Sequence, residues 1–136
     1  MPAILFVDDE KMLVDIGEKI LERLGYRVSS YLSSAAALAA FIQAPETFDL
    51  VVTDMTMPGM TGMGLSKEIL SVRKDIPIII CTGFSERLDE EKISSIGIKG
   101  LLMKPIVKSE LARMVRQVLD EEGGKGVGPT FRDQPL

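Results

Sequence analysis

The sequence predicts an α/β fold: one parallel sheet with helices on both faces. Short apolar runs alternate with longer stretches of helical period, giving five strand–helix units in series. Three of the runs, ILFV, LVVT and IPIIIC, are apolar on consecutive positions, as strands buried on both faces require. The length of 136 residues, with 46% hydrophobic and 26% charged residues, suits a single domain with a real core. Crossovers between parallel strands are right-handed, and five such strands in a doubly wound sheet most often take the order 2-1-3-4-5.

Each element has its own justification. Residues 4–7 form the first strand. The helix over 11–24 places Leu13, Gly17, Ile20 and Leu24 on one stripe, with Gly25 as its stop. Residues 27–31 form the second strand. The alanine-rich stretch 33–43 forms the next helix, with Ser33 or Ser34 as its cap. The third strand covers 50–53, and the helix over 61–73 carries Leu65, Ile69 and Val72. The fourth strand covers 76–81, followed by a helix over 86–96 that ends at Gly97. The fifth covers 100–103, followed by a helix over 108–120 with Leu111, Met114, Val115, Val118 and Leu119. The domain spans 1–122. Residues 123–136, GGKGVGPTFRDQPL, hold four Gly and two Pro without apolar period and read as a flexible tail.

Composition excludes several functions. There is no histidine, which removes Ser-His-Asp and Cys-His catalysis and histidine-ligated zinc. The net charge of −4 disfavours a nucleic-acid partner. One cysteine allows no internal disulfide, and with no apolar run of membrane length and no secretory signal the expected setting is cytoplasmic, without membrane contact.

Polar residues collect where the strands end. The first strand runs into Asp8, Asp9 and Glu10, the third into Asp54, the fourth into Thr82, and the fifth into Lys104 and Pro105. Separately these have ordinary readings: a helix cap for the Asp pair, a turn for Asp54, a strand end for Thr82, a surface position for Lys104. Together they fall on the one sheet edge where open α/β folds bind ligands. Carboxylates so close do not stay ionised without a cation, and oxygen-only ligands select a hard ion such as Mg²⁺. A metal, a lysine, a hydroxyl and a spare carboxylate suit a phosphoryl group.

At these residues the chain resembles a known family. ILFVDDE, DLVVTDMTMPGMTG, PIIICTG and LLMKP are similar, in order, to receiver domains of bacterial two-component signalling, over about residues 3–122. The wording of DMTMPGMTG, CTGFSE and GIKGLLMKP is most similar to C-terminal receivers of hybrid sensor histidine kinases. The resemblance implies a flavodoxin-like fold in which Asp54 accepts a phosphoryl group from a phosphohistidine. It implies Mg²⁺ (or Mn²⁺ in its place) on Asp8, Asp9, Asp54 and the backbone carbonyl of Thr56. Thr82 and Lys104 would engage the phosphoryl group, and Lys104–Pro105 would be cis. Thr82 and position 101 would form the switch, but Leu101 stands where the family often has Tyr or Phe. Thr56 and Phe84 fall at its rate-modulating positions. The implied partner is a histidine kinase or phosphotransfer domain, with Met12, Ile16 and Ile106 as contacts and core burial as their alternative. Dimerisation through the face of helix 4, strand 5 and helix 5 is open. The domain would modify and hydrolyse only itself, without turnover of an external substrate.

Other readings are weaker. Met55, Met57, Met60 and Met63 could bind Cu(I), but adaptable packing explains them. GGKGVG lacks the spacing of a phosphate loop, and Cys81 has no histidine to activate it. A haloacid-dehalogenase phosphatase would need DxDx[TV] after the first strand, where this chain has Asp8-Asp9-Glu10. A binding module without phosphorylation is the remaining rival.

Overall fold

A computed structural model describes residues 1–83, 90–123 and 130–131, with the side chains of 1–83 and 90–121. Its strands are β1 (Ala3–Val7), β2 (Arg27–Tyr31), β3 (Leu50–Asp54), β4 (Ile78–Thr82), β5 (Gly100–Met103) and β6 (Thr130–Phe131). The helices are α1 (Lys11–Arg23), α2 (Ser34–Gln43), α3 (Gly62–Val72), α4 (Glu90–Ile96) and α5 (Lys108–Gly123). The sheet order is β2-β1-β3-β4-β5-β6, with every pair parallel. The first five strands thus take the expected order 2-1-3-4-5.

The pleat divides the core in two. Leu5, Val7, Val51, Ile78, Ile80 and Leu101 face one side, where Ala37 and Phe41 of α2, Leu65 and Ile69 of α3 and Ile93 of α4 cover them. Their neighbours Ile4, Phe6, Leu50, Val52, Ile79, Cys81 and Leu102 face the other, under Val14 and Leu21 of α1 and Leu111, Met114, Val115 and Val118 of α5. Edge strand β2, RVSSY, has no fully buried residue.

Several boundaries and faces differ from the sequence reading. The buried stripe of α1 is Val14, Gly17 and Leu21, and Leu24 is exposed. Apolar residues at 12, 13, 14, 16, 20 and 21 span a wide arc, so spacing alone leaves the helix rotation open. Packing decides it: a Cβ on Gly17 would strike the Phe6 ring, so the helix packs closely on the sheet at that glycine. In α3, Val72 is exposed at the helix end, while Gly62 and Ser66 join Leu65 and Ile69 on the buried face. Strand β4 begins at Ile78, after Pro77, which has no N–H to give the ladder. The start expected for α4, residues 86–89, lies outside the described residues, as does Phe84; the helix ends before Gly97, at φ +115°. Helix α5 runs on to Gly123, and β6 adds a short sixth strand beside β5, with Thr130 opposite Gly100 and Phe131 opposite Leu101. That strand falls inside the stretch read as a tail; the composition of 123–136 gives no strand signal.

Candidate functional site

The register brings the strand ends together. Val7 lies opposite Thr53, Asp54 opposite Cys81, and Thr82 opposite Met103. One residue further along β1 and β5 come Asp8 and Lys104. Residues up to 96 positions apart in sequence therefore share one corner of the carboxyl edge.

Asp8, Asp54 and Thr82 are buried there and Asp9 is exposed. Carboxylate oxygens of Asp8, Asp9 and Asp54 lie within 4.8 Å of one another. Lys104 Nζ stands 2.7 Å from Asp54 Oδ1 and 3.4 Å from Asp8 Oδ2. Asp8 Oδ1 also accepts the N–H of Glu10, at 2.9 Å, which fixes its rotamer at the entrance of α1. The Thr82 hydroxyl is fully buried, 3.5 Å from the Gly83 carbonyl, and Lys104 N–H donates to the Thr82 carbonyl at 2.7 Å. The Lys104–Pro105 peptide is cis.

Burial and pairing pull these groups in opposite directions. Burial raises the Asp8 carboxyl above its ordinary value, against the lowering by the Glu10 N–H and Lys104. Burial alone would lower the Lys104 ammonium, but the hydrogen bond to Asp54 and the charges of Asp8 and Asp54 outweigh it, and its pKa is raised. Beside them, burial and then the Asp54 charge push the Cys81 thiol up to about 12, so it is no nucleophile at neutral pH.

With all three carboxylates ionised, Lys104 leaves an excess of negative charge among these side chains. An all-oxygen donor set with such an excess fits a hard divalent cation and offers nothing to a soft one.

The loop after β3 completes the corner. Met55 N–H donates to the Cys81 carbonyl at 2.8 Å, and Gly62 N–H donates back to the Met55 carbonyl at 2.7 Å. A Cβ on Gly62 would strike the Asp54 carbonyl, so α3 begins against the backbone of the site. Gly59 takes the turn at φ +79°. Thr56 is exposed at the rim, whereas Met57 is buried among Ala37, Phe41, Leu65 and Ile69. Met55, Met60 and Met63 lean on the same cluster, so these thioethers pack in the core.

The remaining sequence candidates separate. Leu101 is buried with Ile93 and Ile98, away from solvent. Met12 and Ile16 are 74% and 45% exposed, which removes core burial as their explanation. Ile106 is half-buried against the α1–α5 side of the core, next to exposed Val107. Sequence reasoning missed Ser34, which reads as a helix cap but donates its hydroxyl to the Met60 carbonyl at 2.6 Å. Nothing local in SSAAA marks that long-range bond; only the small residue at a helix start hints at close packing.

Residues 4–116 match the family model described as the response regulator receiver domain. The chain is 29% identical over 126 residues to the aerobic respiration control sensor protein ArcB of Escherichia coli, covering 90% of this chain and 16% of that protein. It is 29% identical over 116 residues to the C4-dicarboxylate transport transcriptional regulatory protein DctD of Rhizobium meliloti, covering 85% of this chain and 25% of that protein. Thus it spans a quarter or less of these relatives. Among solved structures it is similar to a CheY-like response regulator receiver domain protein from Methanospirillum hungatei, with TM-score 0.84 and 28% identity over 93% of this chain and 99% of that one.

Proposed function

The chain belongs to the response-regulator receiver family, and we propose that its Asp54 is the phosphoryl acceptor of a two-component phosphorelay. The observation that carries this is the position of Lys104 Nζ, bridging Asp54 Oδ1 and Asp8 Oδ2 at 2.7 and 3.4 Å. In the transfer, an Asp54 carboxylate oxygen forms a bond to phosphorus in line as the bond from phosphorus to the donor's imidazole nitrogen breaks. The electron pair of that bond leaves with the imidazole. Lys104 balances charge on the acceptor and on the transferred oxygens, and buried Thr82 supplies a hydroxyl beside them. Asp8, Asp9, Asp54 and the carbonyl of Thr56 would hold Mg²⁺ or Mn²⁺, which when bound supplies positive charge to the phosphoryl oxygens.

The donor is a histidine kinase or phosphotransfer domain, since this chain has no histidine to act in its place. Met12 and Ile16 give it exposed apolar contacts in the first half of α1, joined by Ile106 and Val107 after β5. Phosphorylation then biases the loops after β3 and β4 and the face built by α4, β5 and α5. Leu101 enters that response as a buried aliphatic contact of Ile93 and Ile98. The domain hydrolyses its own acyl phosphate and turns over no external substrate. A reducing, cytoplasmic setting suits its single buried thiol.

Intact mass after incubation with acetyl phosphate tests this, with and without Mg²⁺, beside an Asp54→Asn control. One phosphoryl adduct requiring both Mg²⁺ and Asp54 is expected. An adduct of equal yield on Asp54→Asn overturns the assignment. No adduct on the wild type with a phosphohistidine donor and Mg²⁺ leaves the binding-module reading.

A further inference from the structure

The loop that carries the Thr56 carbonyl is held by an element that gives the site no residue of its own. Ser34 is the first residue of α2 and is buried, yet it does not cap the helix: Ser33 does, accepting the N–H of Ala36 at 3.1 Å. The Ser34 hydroxyl proton goes instead to the Met60 carbonyl at 2.6 Å, and Met57 Sδ lies 3.7 Å from Ser34 Oγ. Met57 in turn is buried in the core cluster that includes Ala37 and Phe41 of α2 and Leu65 and Ile69 of α3. Residues 55–61 are therefore fixed at three points: by the Met55–Gly62 and Met55–Cys81 bonds at their base, by Met57 in the core, and by Ser34 at Met60. Thr56 lies within the span these points define, and Asp54 immediately precedes that span.

The geometry points to Ser34 as a positioning residue: its hydroxyl sets the loop of residues 55–61 so that the Thr56 carbonyl is presented to the cation beside Asp54. The inference rests on the proposed metal site and deepens it. Its physical basis is preorganisation. A backbone carbonyl is a weak ligand that contributes only if it need not be ordered on binding, and an outer contact that orients a ligand typically governs metal affinity about tenfold or more. A merely structural role predicts something else. Losing a buried hydrogen bond at the start of α2 would then lower stability and leave affinity for the cation unchanged.

The test compares Ser34→Ala with Ala39→Gly, a change at an exposed position of the same helix that weakens α2 without touching the loop. Mn²⁺ affinity is measured by water-proton relaxation on folded protein, and stability by urea unfolding. Ser34→Ala is expected to raise the Mn²⁺ dissociation constant roughly tenfold, with Ala39→Gly at the wild-type value. Ser34→Thr, which keeps the hydroxyl, is expected to stay within about threefold of wild type, and it serves as the readout if Ser34→Ala does not fold. Equal affinities for Ser34→Ala, Ala39→Gly and wild type overturn the inference, as does a Ser34→Thr protein that folds but loses the cation tenfold. Acetyl phosphate labelling is run in parallel. Absence of label on wild type would count against Asp54 as acceptor, while the Mn²⁺ comparison would still decide the role of Ser34.

Discussion

At the amino end of the sheet, polar groups are paired off as soon as they appear. Asp49 Oδ2 accepts the Ala3 N–H at 2.8 Å while the Asp49 N–H donates to the Ala3 carbonyl at 2.7 Å. Arg73, at the end of α3, donates through Nη1 to the carbonyls of Pro45 and Phe48, at 2.9 and 2.6 Å, and through Nε to Asp75 at 2.8 Å. At the carboxyl end the opposite is done. Three carboxylates are gathered within 4.8 Å, and a single lysine is set between two of them. The same strands thus end in a stapled pole and a loaded one. Like charges brought together from distant segments cost stability, and such a cluster persists where a ligand offsets it. The contrast separates residues that keep the fold from residues that keep it reactive, and substitutions at the two poles should behave in opposite ways.

The largest expected effect is at the loaded pole and concerns function alone. Asp54→Asn removes one of the mutually repelling carboxylates and should abolish phosphoryl incorporation, read by intact mass, while the urea midpoint stays close to that of wild type. A large loss of stability would mean that Asp54 is a structural anchor and would erase the contrast.

Arg73→Ala probes the stapled pole. Its guanidinium is mostly covered and serves two backbone carbonyls in the loop before β3. Their loss should cost about 2 kcal/mol, the scale of charge-assisted bonds to partly buried groups. Mn²⁺ affinity should be unchanged. A drop in affinity would show that the poles are mechanically coupled through β3.

How much of this was legible beforehand follows the same division. The site was readable because each of its residues sits directly after an apolar strand run, and parallel topology puts all such positions on one edge. Asp8, Asp54, Thr82 and Lys104 needed no knowledge of packing. The α1 face needed it: six apolar residues in a wide arc permit more than one rotation, and the contact of Gly17 with the Phe6 ring selects among them. Ser34 and Arg73 stayed hidden for another reason. Their partners are the backbone carbonyls of Met60, Pro45 and Phe48, and every residue has a carbonyl, so side-chain sequence carries no trace of which one is used. The pairing of Thr130 and Phe131 with β5 hid likewise in a stretch whose glycines and prolines argue for a tail.

Asp8→Asn should give a smaller, two-signed result. The Asp8 carboxyl is raised by burial, so it holds a proton more tightly folded than unfolded. The stability linked to it is complete below the unfolded value of 3.8 and is lost as pH rises through the raised folded value. Metal-free wild type should therefore lose stability across that acid window. The asparagine variant can still accept the Glu10 N–H and should not share this loss. It should be more stable at neutral pH by roughly 1 kcal/mol, the common scale of single substitutions, while Mn²⁺ binds about tenfold or more weakly. Loss of both stability and affinity would place Asp8 with the stapled pole.

The smallest effect sharpens what stapling means. Asp75 is 81% exposed, and its carboxyl is held below the ordinary value first by the hydrogen bond from Arg73 and then by the Arg73 charge. A depressed carboxyl contributes stability above the unfolded value of 3.8 and loses it as pH falls through the lower folded value. Solvent screens a pair this open, so Asp75→Asn should cost only a few tenths of a kcal/mol at pH 7 and low salt. The cost should fade in high salt and disappear in acid, where wild type is protonated as well. Measured beside Arg73→Ala, this isolates the two carbonyl bonds from the ion pair. If Asp75→Asn cost as much as Arg73→Ala, the amino pole would be held by charge after all, and the two ends of the sheet would differ in the sign of their balance rather than in the kind of bond that holds them.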